Sequence, residues 1–123
     1  MAYSYVSYVG AKNSQGQPHG QGTAIDANGY THIGQWRNGL RHGFGTQQFW
    51  SGTSHTGEYR NGVLHGQVIE TNQDQENGYT NVGNNIEGKR HGLFVMTYSD
   101  GRVFEIVFNM DKELSRVQRV QNL

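Results

Sequence analysis

The chain contains no cysteine and a single proline, carries no formal net charge, and has no apolar run longer than a few residues. Each absence excludes something. Without cysteine there is neither a disulfide framework nor a thiolate metal site. Ten Lys and Arg against ten Asp and Glu, with no run of one sign, lack the basic stripe of a nucleic-acid binder. They also leave little for a purely electrostatic attachment to a membrane. No stretch approaches the ~20 apolar residues of a membrane-spanning helix. The opening residues, Met1-Ala2-Tyr3-Ser4-Tyr5, have neither the basic region nor the apolar core of a signal peptide, so the expected location is intracellular and cytoplasmic. Apolar residues are scarce as well, at 33% of the chain. A length of 123 residues is that of one domain.

Eighteen glycines, 22 Asn and Gln residues and 14 aromatic rings fill the composition. One pattern organises them. Gly-x-x-His-Gly occurs four times: at Gly16, His19 and Gly20; at Gly39, His42 and Gly43; at Gly62, His65 and Gly66; and at Gly88, His91 and Gly92. The histidines are 23, 23 and 26 residues apart. A period of that size marks an array whose units bury their apolar faces only by stacking on neighbours, and such arrays offer a long surface to a partner.

Two further glycine series share the period. Gly34, Gly57 and Gly83 lie five residues before their motif, and Gly10 lies six before. Asn28-Gly29, Ser51-Gly52, Asn77-Gly78 and Asp100-Gly101 close the units, and such pairs signal hairpin turns because both central residues of a type I′ turn need positive φ. Each unit therefore reads strand, glycine-rich turn, strand, hairpin turn. Within the second, Tyr30, His32, Gly34 and Trp36 alternate onto one face. A strand glycine is unfavourable unless something packs over it, and neighbouring aromatics are the expected cover.

These signals give an all-β fold: an elongated, single-layer antiparallel meander of hairpin repeats. About nine strands are expected, near 4–10, 20–27, 30–37, 43–50, 53–60, 66–72, 78–86, 92–99 and 102–109. The whole chain, 1–123, is read as one domain with repeats at about 6–29, 30–52, 53–78 and 79–101 and a partial one at 102–109. Asp111 is expected to cap a short helix over about 111–121, with Met110, Leu114 and Val117 on one face and Arg116 and Arg119 towards its negative end. At the other end Tyr3–Tyr8 is expected to form an uncapped edge strand.

The pattern Tyr-x-x-x-Gly-x-Trp-x-Asn-Gly-x-x-His-Gly-x-Gly-Thr, running from Tyr30 to Thr46, resembles the MORN (membrane occupation and recognition nexus) repeat. The resemblance extends from about residue 6 to 106. The third unit keeps Gly57, Tyr59, Asn61-Gly62 and His65-Gly66, whereas the fourth has Asn85 where Trp36 and Tyr59 stand, and the fifth has Ile106 in place of the glycine. The resemblance implies adaptor roles in cytoskeletal, ciliary or cortical assemblies. The family's name implies contact with phospholipid surfaces, for which Arg37, Arg41, Arg60 and Lys89-Arg90-His91 would supply the cations.

The motif histidines are read as structural, bonding turn backbone. Equivalent positions lie roughly 10 Å apart, whereas two nitrogens on one zinc are at most ~4 Å apart, so no metal is expected. No nucleophile elbow, P-loop or dinucleotide fingerprint is present, so neither catalysis nor a cofactor is expected. The aromatics Tyr30, Trp36, Phe44, Trp50, Tyr59 and Tyr79 are the candidate partner-binding residues, since a thin sheet cannot bury every ring and Trp and Tyr make strong interface anchors. Phe49 and Trp50 are adjacent and so are expected on opposite faces, with Trp50 the exposed one. The expected function is a non-catalytic scaffold that binds a helix or extended segment of a partner protein. The alternatives are weak anionic-lipid binding, and a homodimer through Tyr3–Tyr8 or the C-terminal helix. Nucleic acid is not an expected partner.

Overall fold

A computed structural model describes residues 3–120. Ten strands follow one another in a single antiparallel sheet whose spatial order is the chain order. They are β1 (Ser7–Lys12), β2 (Pro18–Ile25), β3 (Thr31–Arg37), β4 (Leu40–Gln48), β5 (Thr53–Arg60), β6 (Val63–Asn72), β7 (Tyr79–Ile86), β8 (Lys89–Tyr98), β9 (Val103–Asn109) and β10 (Lys112–Gln118). At ~4.8 Å per strand the array is about 43 Å long.

The C-terminal segment departs from the expected helix. Lys112–Gln118 pairs with β9 from Lys112↔Asn109 to Gln118↔Phe104, making a tenth strand in place of the cap over 111–121. Gln121 lies outside the described residues. A helix of about eleven residues has little stability of its own in water, whereas β9 offers a row of backbone partners. Asp111 caps nothing: with Met110 it forms a two-residue turn, φ 47° and 71°.

That turn belongs to a series. Asn38-Gly39, Asn61-Gly62 and Glu87-Gly88 all have positive φ at both residues, which is type I′ geometry. The type I′ turns are therefore these, not Asn28-Gly29 or Asp100-Gly101, where the glycine alone has positive φ. There the chain makes a longer turn built on a side-chain acceptor, as where Asp26 Oδ1 accepts the N–H groups of Asn28 and Tyr30. Gly78 is not in the positive-φ region, and Ser51-Gly52 belongs to a 3₁₀ turn, Trp50–Gly52.

The motif histidines lock each unit to the next. Asn38 N–H donates to His19 Nδ1 at 3.2 Å, Asn61 N–H to His42 Nδ1 at 3.3 Å, Glu87 N–H to His65 Nδ1 at 3.2 Å and Met110 N–H to His91 Nδ1 at 3.3 Å. Beside each, the second turn residue (Gly39, Gly62, Gly88, Asp111) donates its N–H to the carbonyl of the residue before the histidine. Every type I′ turn thus hangs by two bonds from the preceding unit. The glycine after each histidine (Gly20, Gly43, Gly66, Gly92) has φ between +82° and +94°. It lies where the register slips within the hairpin, a bulge that turns the histidine towards its acceptor role. In β10 the motif position of histidine is Leu114, and the lock ends there.

One face, here called inner, carries the buried side chains. Tyr59, Leu64, Val68, Phe94, Met96, Ile106 and Phe108 form a cluster over β5–β9. Rings and other bulky side chains lie across strand glycines: a Cβ on Gly22 would collide with the Tyr8 ring, one on Gly83 with the Phe94 ring, and one on Gly45 would come within 2.5 Å of His32. The outer face bears a cross-strand row that runs unbroken through the register from Val9, through Ile33 and Thr46, to Val117, β-branched at every position except Glu105. β-Branched side chains fit a pleated surface, and here they hold a single layer in strand conformation.

The first strand starts at Ser7, so Tyr3–Val6 is not the expected edge strand. Tyr3 turns back over the inner face instead. Its N–H donates to Gly39 O at 3.2 Å, its hydroxyl donates to Asp26 Oδ2 at 3.2 Å, and its ring meets Trp36 edge-on at 5.3 Å.

Candidate functional site

The alternation of side chains divides the candidate aromatics between two faces. Trp36 and Tyr59 are buried on the inner face, each 3% exposed. Trp36 Nε1 donates to Gly22 O at 3.1 Å, so its ring lies across β2. His32 stands between the two rings, 5.2 Å from Trp36 and 4.8 Å from Tyr59. Phe44 is on the outer face, 67% exposed. Tyr30 and Trp50 lie at the sheet end away from the type I′ turns, where Tyr30 meets Phe49 at 5.0 Å and Trp50 at 5.4 Å. Trp50 is 64% exposed, but not through strand alternation: β4 ends at Gln48, and the 3₁₀ turn lets both rings contact Tyr30. Tyr79 is half-buried against Tyr98. The six do not form one surface.

The structure brings a different set together. A groove of about 410 Å³ crosses the inner face from Arg41 and Gln47 on β4 to Asp111 beyond β9. Tyr59, Leu64 and Val68 supply apolar lining, Phe49 and His55 stand at one side, and Arg90 and Asn85 lie at the far end. Arg41 is held between two rings, 4.9 Å from the Tyr3 centroid and 5.1 Å from that of Tyr59, in cation–π range. Its Nη2 donates to Gly62 O at 2.8 Å and its Nη1 to Gln47 Oε1 at 3.3 Å. Arg90 lies 4.3 Å over the Phe108 ring, and its Nε donates to Asp111 Oδ1 at 3.1 Å. His55 Nε2 and Glu70 Oε2 are 3.1 Å apart, and Asn81 donates to the other Glu70 oxygen at 3.2 Å.

Burial sets the protonation states here. It pushes His32 down to about 4, against the hydrogen bond with Gln47, and the Arg41 charge adds to the lowering. Neutral His32 then places its Nδ1 2.9 Å from Gln47 Oε1. Burial raises Tyr59 to about 12 despite nearby Arg41, so its hydroxyl stays protonated. Burial works against ionised Asp111, but the hydrogen bonds from Arg90 outweigh it and hold the carboxyl below its usual range. Four buried polar atoms have no hydrogen-bond partner among the described residues: His32 Nε2, Arg41 Nε, Asn81 Oδ1 and Asn85 Oδ1. Among the described residues no three His, Asp or Glu side chains converge as a metal site would require.

Gln47, Leu64, Val68 and Glu70 match no motif residue in the sequence. Cross-strand register is what brings them to one place, as in His32↔Gln47 and His55↔Glu70. Arg41 and Arg90 read in the sequence only as cations for a lipid surface. These two face inwards, whereas Arg37, Arg60 and Lys89 alternate onto the outer face, so the basic groups are divided.

The family model for the MORN repeat matches the chain at residues 14–29, 32–54, 55–67 and 86–101, more than half its length. Comparison with curated proteins finds no match for the chain. MORN repeats are consistent with a repeat scaffold or adaptor, in a family that is generally non-enzymatic.

Proposed function

The chain belongs to the MORN repeat family, and from that premise we propose that it is a non-catalytic scaffold that holds a helical or extended segment of a partner protein in the groove of its inner face. The groove carries this reading. It crosses the strands instead of following one, and it alternates apolar floor with the fixed guanidinium groups of Arg41 and Arg90. A surface of that kind binds a chain segment through buried anchors and polar fixing points. Its breadth and openness suit a segment better than a small substrate, which needs a more enclosed cavity. We further propose an intracellular location at a cytoskeletal or membrane-associated assembly, which the family resemblance supports. Lipid attachment is the lesser reading, because the cations are split between the two faces and no single surface collects them.

Affinity capture followed by photo-crosslinking tests the proposal. The otherwise unchanged protein carrying a photo-crosslinking residue in place of Phe49, at the side of the groove, should capture and covalently mark one partner segment. Arg90→Glu, with its fold verified by circular dichroism, should lose that partner, whereas Phe44→Ala on the outer face should keep it. A partner retained by Arg90→Glu and lost by Phe44→Ala would place binding on the other face and overturn the assignment.

A further inference from the structure

One of the charges in the inner-face groove has no countercharge. Arg41, Glu70, Arg90 and Asp111 all line that groove. Arg90 Nε and Asp111 Oδ1 are 3.1 Å apart. Both oxygens of Glu70 have partners, His55 Nε2 at 3.1 Å and Asn81 Nδ2 at 3.2 Å. Among the described residues Arg41 takes part in no ion pair. Asp26, bonded to the hydroxyl of the Tyr3 ring on which Arg41 packs, is already occupied. Its Oδ2 accepts that hydroxyl, and its Oδ1 accepts the N–H groups of Asn28 and Tyr30.

The guanidinium of Arg41 is nevertheless fixed. It lies between the Tyr3 and Tyr59 rings, and its hydrogen bonds to Gly62 O and Gln47 Oε1 go to uncharged acceptors. Arg41 is half-buried, so a segment laid in the groove takes away water that still solvates its charge. That loss is strongly unfavourable unless an anion replaces the water. A carboxylate matches the planar fork of a guanidinium. A phosphoryl group, with a charge of about −1.5 to −2, is disfavoured because Glu70 and Asp111 line the same groove.

We propose that Arg41 is the seat for an aspartate or glutamate carboxylate on the bound partner segment. The carboxylate accepts hydrogen bonds from the guanidinium, and an apolar side chain of the same segment rests on Tyr59 and Leu64 beside it. Arg41 Cζ is 5.1 Å from the Tyr59 centroid, and Tyr59 pairs with Leu64 across β5 and β6. Acid and anchor therefore lie on one face of the segment. They stand about two residues apart if it is extended and about three or four apart if it is helical. This assignment rests on the reading that a partner segment occupies the inner face.

Selection of random dodecapeptides displayed on phage tests it, with the wild-type protein as bait. The recovered peptides should be enriched in Asp or Glu at one of those spacings from an apolar residue. The strongest is then synthesised with its acid, with the corresponding amide and with phosphoserine at that position, and binding is read by fluorescence anisotropy. Wild type should bind the amide peptide at least ~10-fold more weakly than the acid and the phosphoserine peptide no more tightly than the acid. Arg41→Met, its fold verified by circular dichroism, should bind acid and amide within about twofold of each other. Arg41→Gln serves the same purpose if methionine unfolds the chain, and Arg41→Lys should restore part of the preference for the acid. Selected peptides without an enriched acid, equal binding of acid and amide by wild type, tighter binding of phosphoserine, or a preference undiminished in Arg41→Met would overturn the seat. Peptides that show no acid preference but are lost by Arg90→Glu sink the carboxylate seat and leave the inner-face scaffold standing. Failure to select any peptide, or peptides lost only by Phe44→Ala, sinks the inner-face scaffold and the seat with it.

Discussion

A histidine in this chain does one of two jobs, decided by the atoms around it. His42 gives its Nδ1 lone pair to the N–H of Asn61 and so joins two units. Its replacement by alanine returns that N–H to water at a cost of about 0.5–1 kcal/mol. Urea denaturation of His42→Ala should show a lowered midpoint, and Arg37→Ala, on the outer face, should leave it unchanged. His32 is buried among rings and kept neutral. Its folded pKa of about 4 lies below the ordinary 6.5, so between those values the unfolded chain binds the proton first. Stability is therefore full above about pH 6.5, falls as pH drops towards about 4 and is flat below that for this group. The total loss is on the order of 3 kcal/mol. His32→Leu should lack this dependence, so that the difference between the two pH profiles isolates it, and a variant profile parallel to that of wild type would mean that His32 is solvated.

At the scale of the element, the type I′ turn is the repeating part, and its residues can be ranked. A non-glycine L-residue at positive φ carries a penalty of about 1 kcal/mol, least for Asn. Asn38 and Asn61 meet the requirement, whereas Glu87 holds the same position with φ 48°. Glu87→Asn should raise stability by about 0.5–1 kcal/mol, read as a higher urea midpoint with an unchanged slope. Asp111 takes the place of a turn glycine at φ 71° for a compensating reason: its carboxylate accepts the N–H and Nε–H of Arg90, at 2.8 and 3.1 Å. The tenth strand was legible in these terms. Gly16, Gly39, Gly62 and Gly88 are followed after another 23 residues by Asp111, so the period itself puts a turn there. The helical reading failed because Met110, Leu114 and Val117 also suit a helix face, and about eleven residues are too few for one period to exclude the other.

For the molecule as a whole, a sheet in which each strand meets only its neighbours has local stabilities rather than one uniform value. The buried cluster lies over β5–β9, whereas every residue of β10 is exposed and β1 has only Tyr8 half-buried. Native-state hydrogen exchange should therefore show the strongest protection in β6–β9 and the weakest in β10 and β1. Equal protection along the array would indicate cooperative unfolding instead. The inner face depends on the same gradient, because the groove spans from β4 to the turn after β9 and its Asn85 end stands on the most stable part.

The sequence by itself determined the repeat, its period, the all-β meander, the order of the strands and the family, because each rests on local requirements. Glycine goes where φ is positive, alternation sorts the faces, and a fixed interval brings each motif back. Only the tertiary structure decided which turns are type I′, where Tyr3 lies, and which side chains share the groove. Those depend on register and on bulges, and a slip of one residue exchanges the two faces of a strand. Trp36 and Phe44 look alike in the sequence, and the bulge and alternation between them bury one and expose the other.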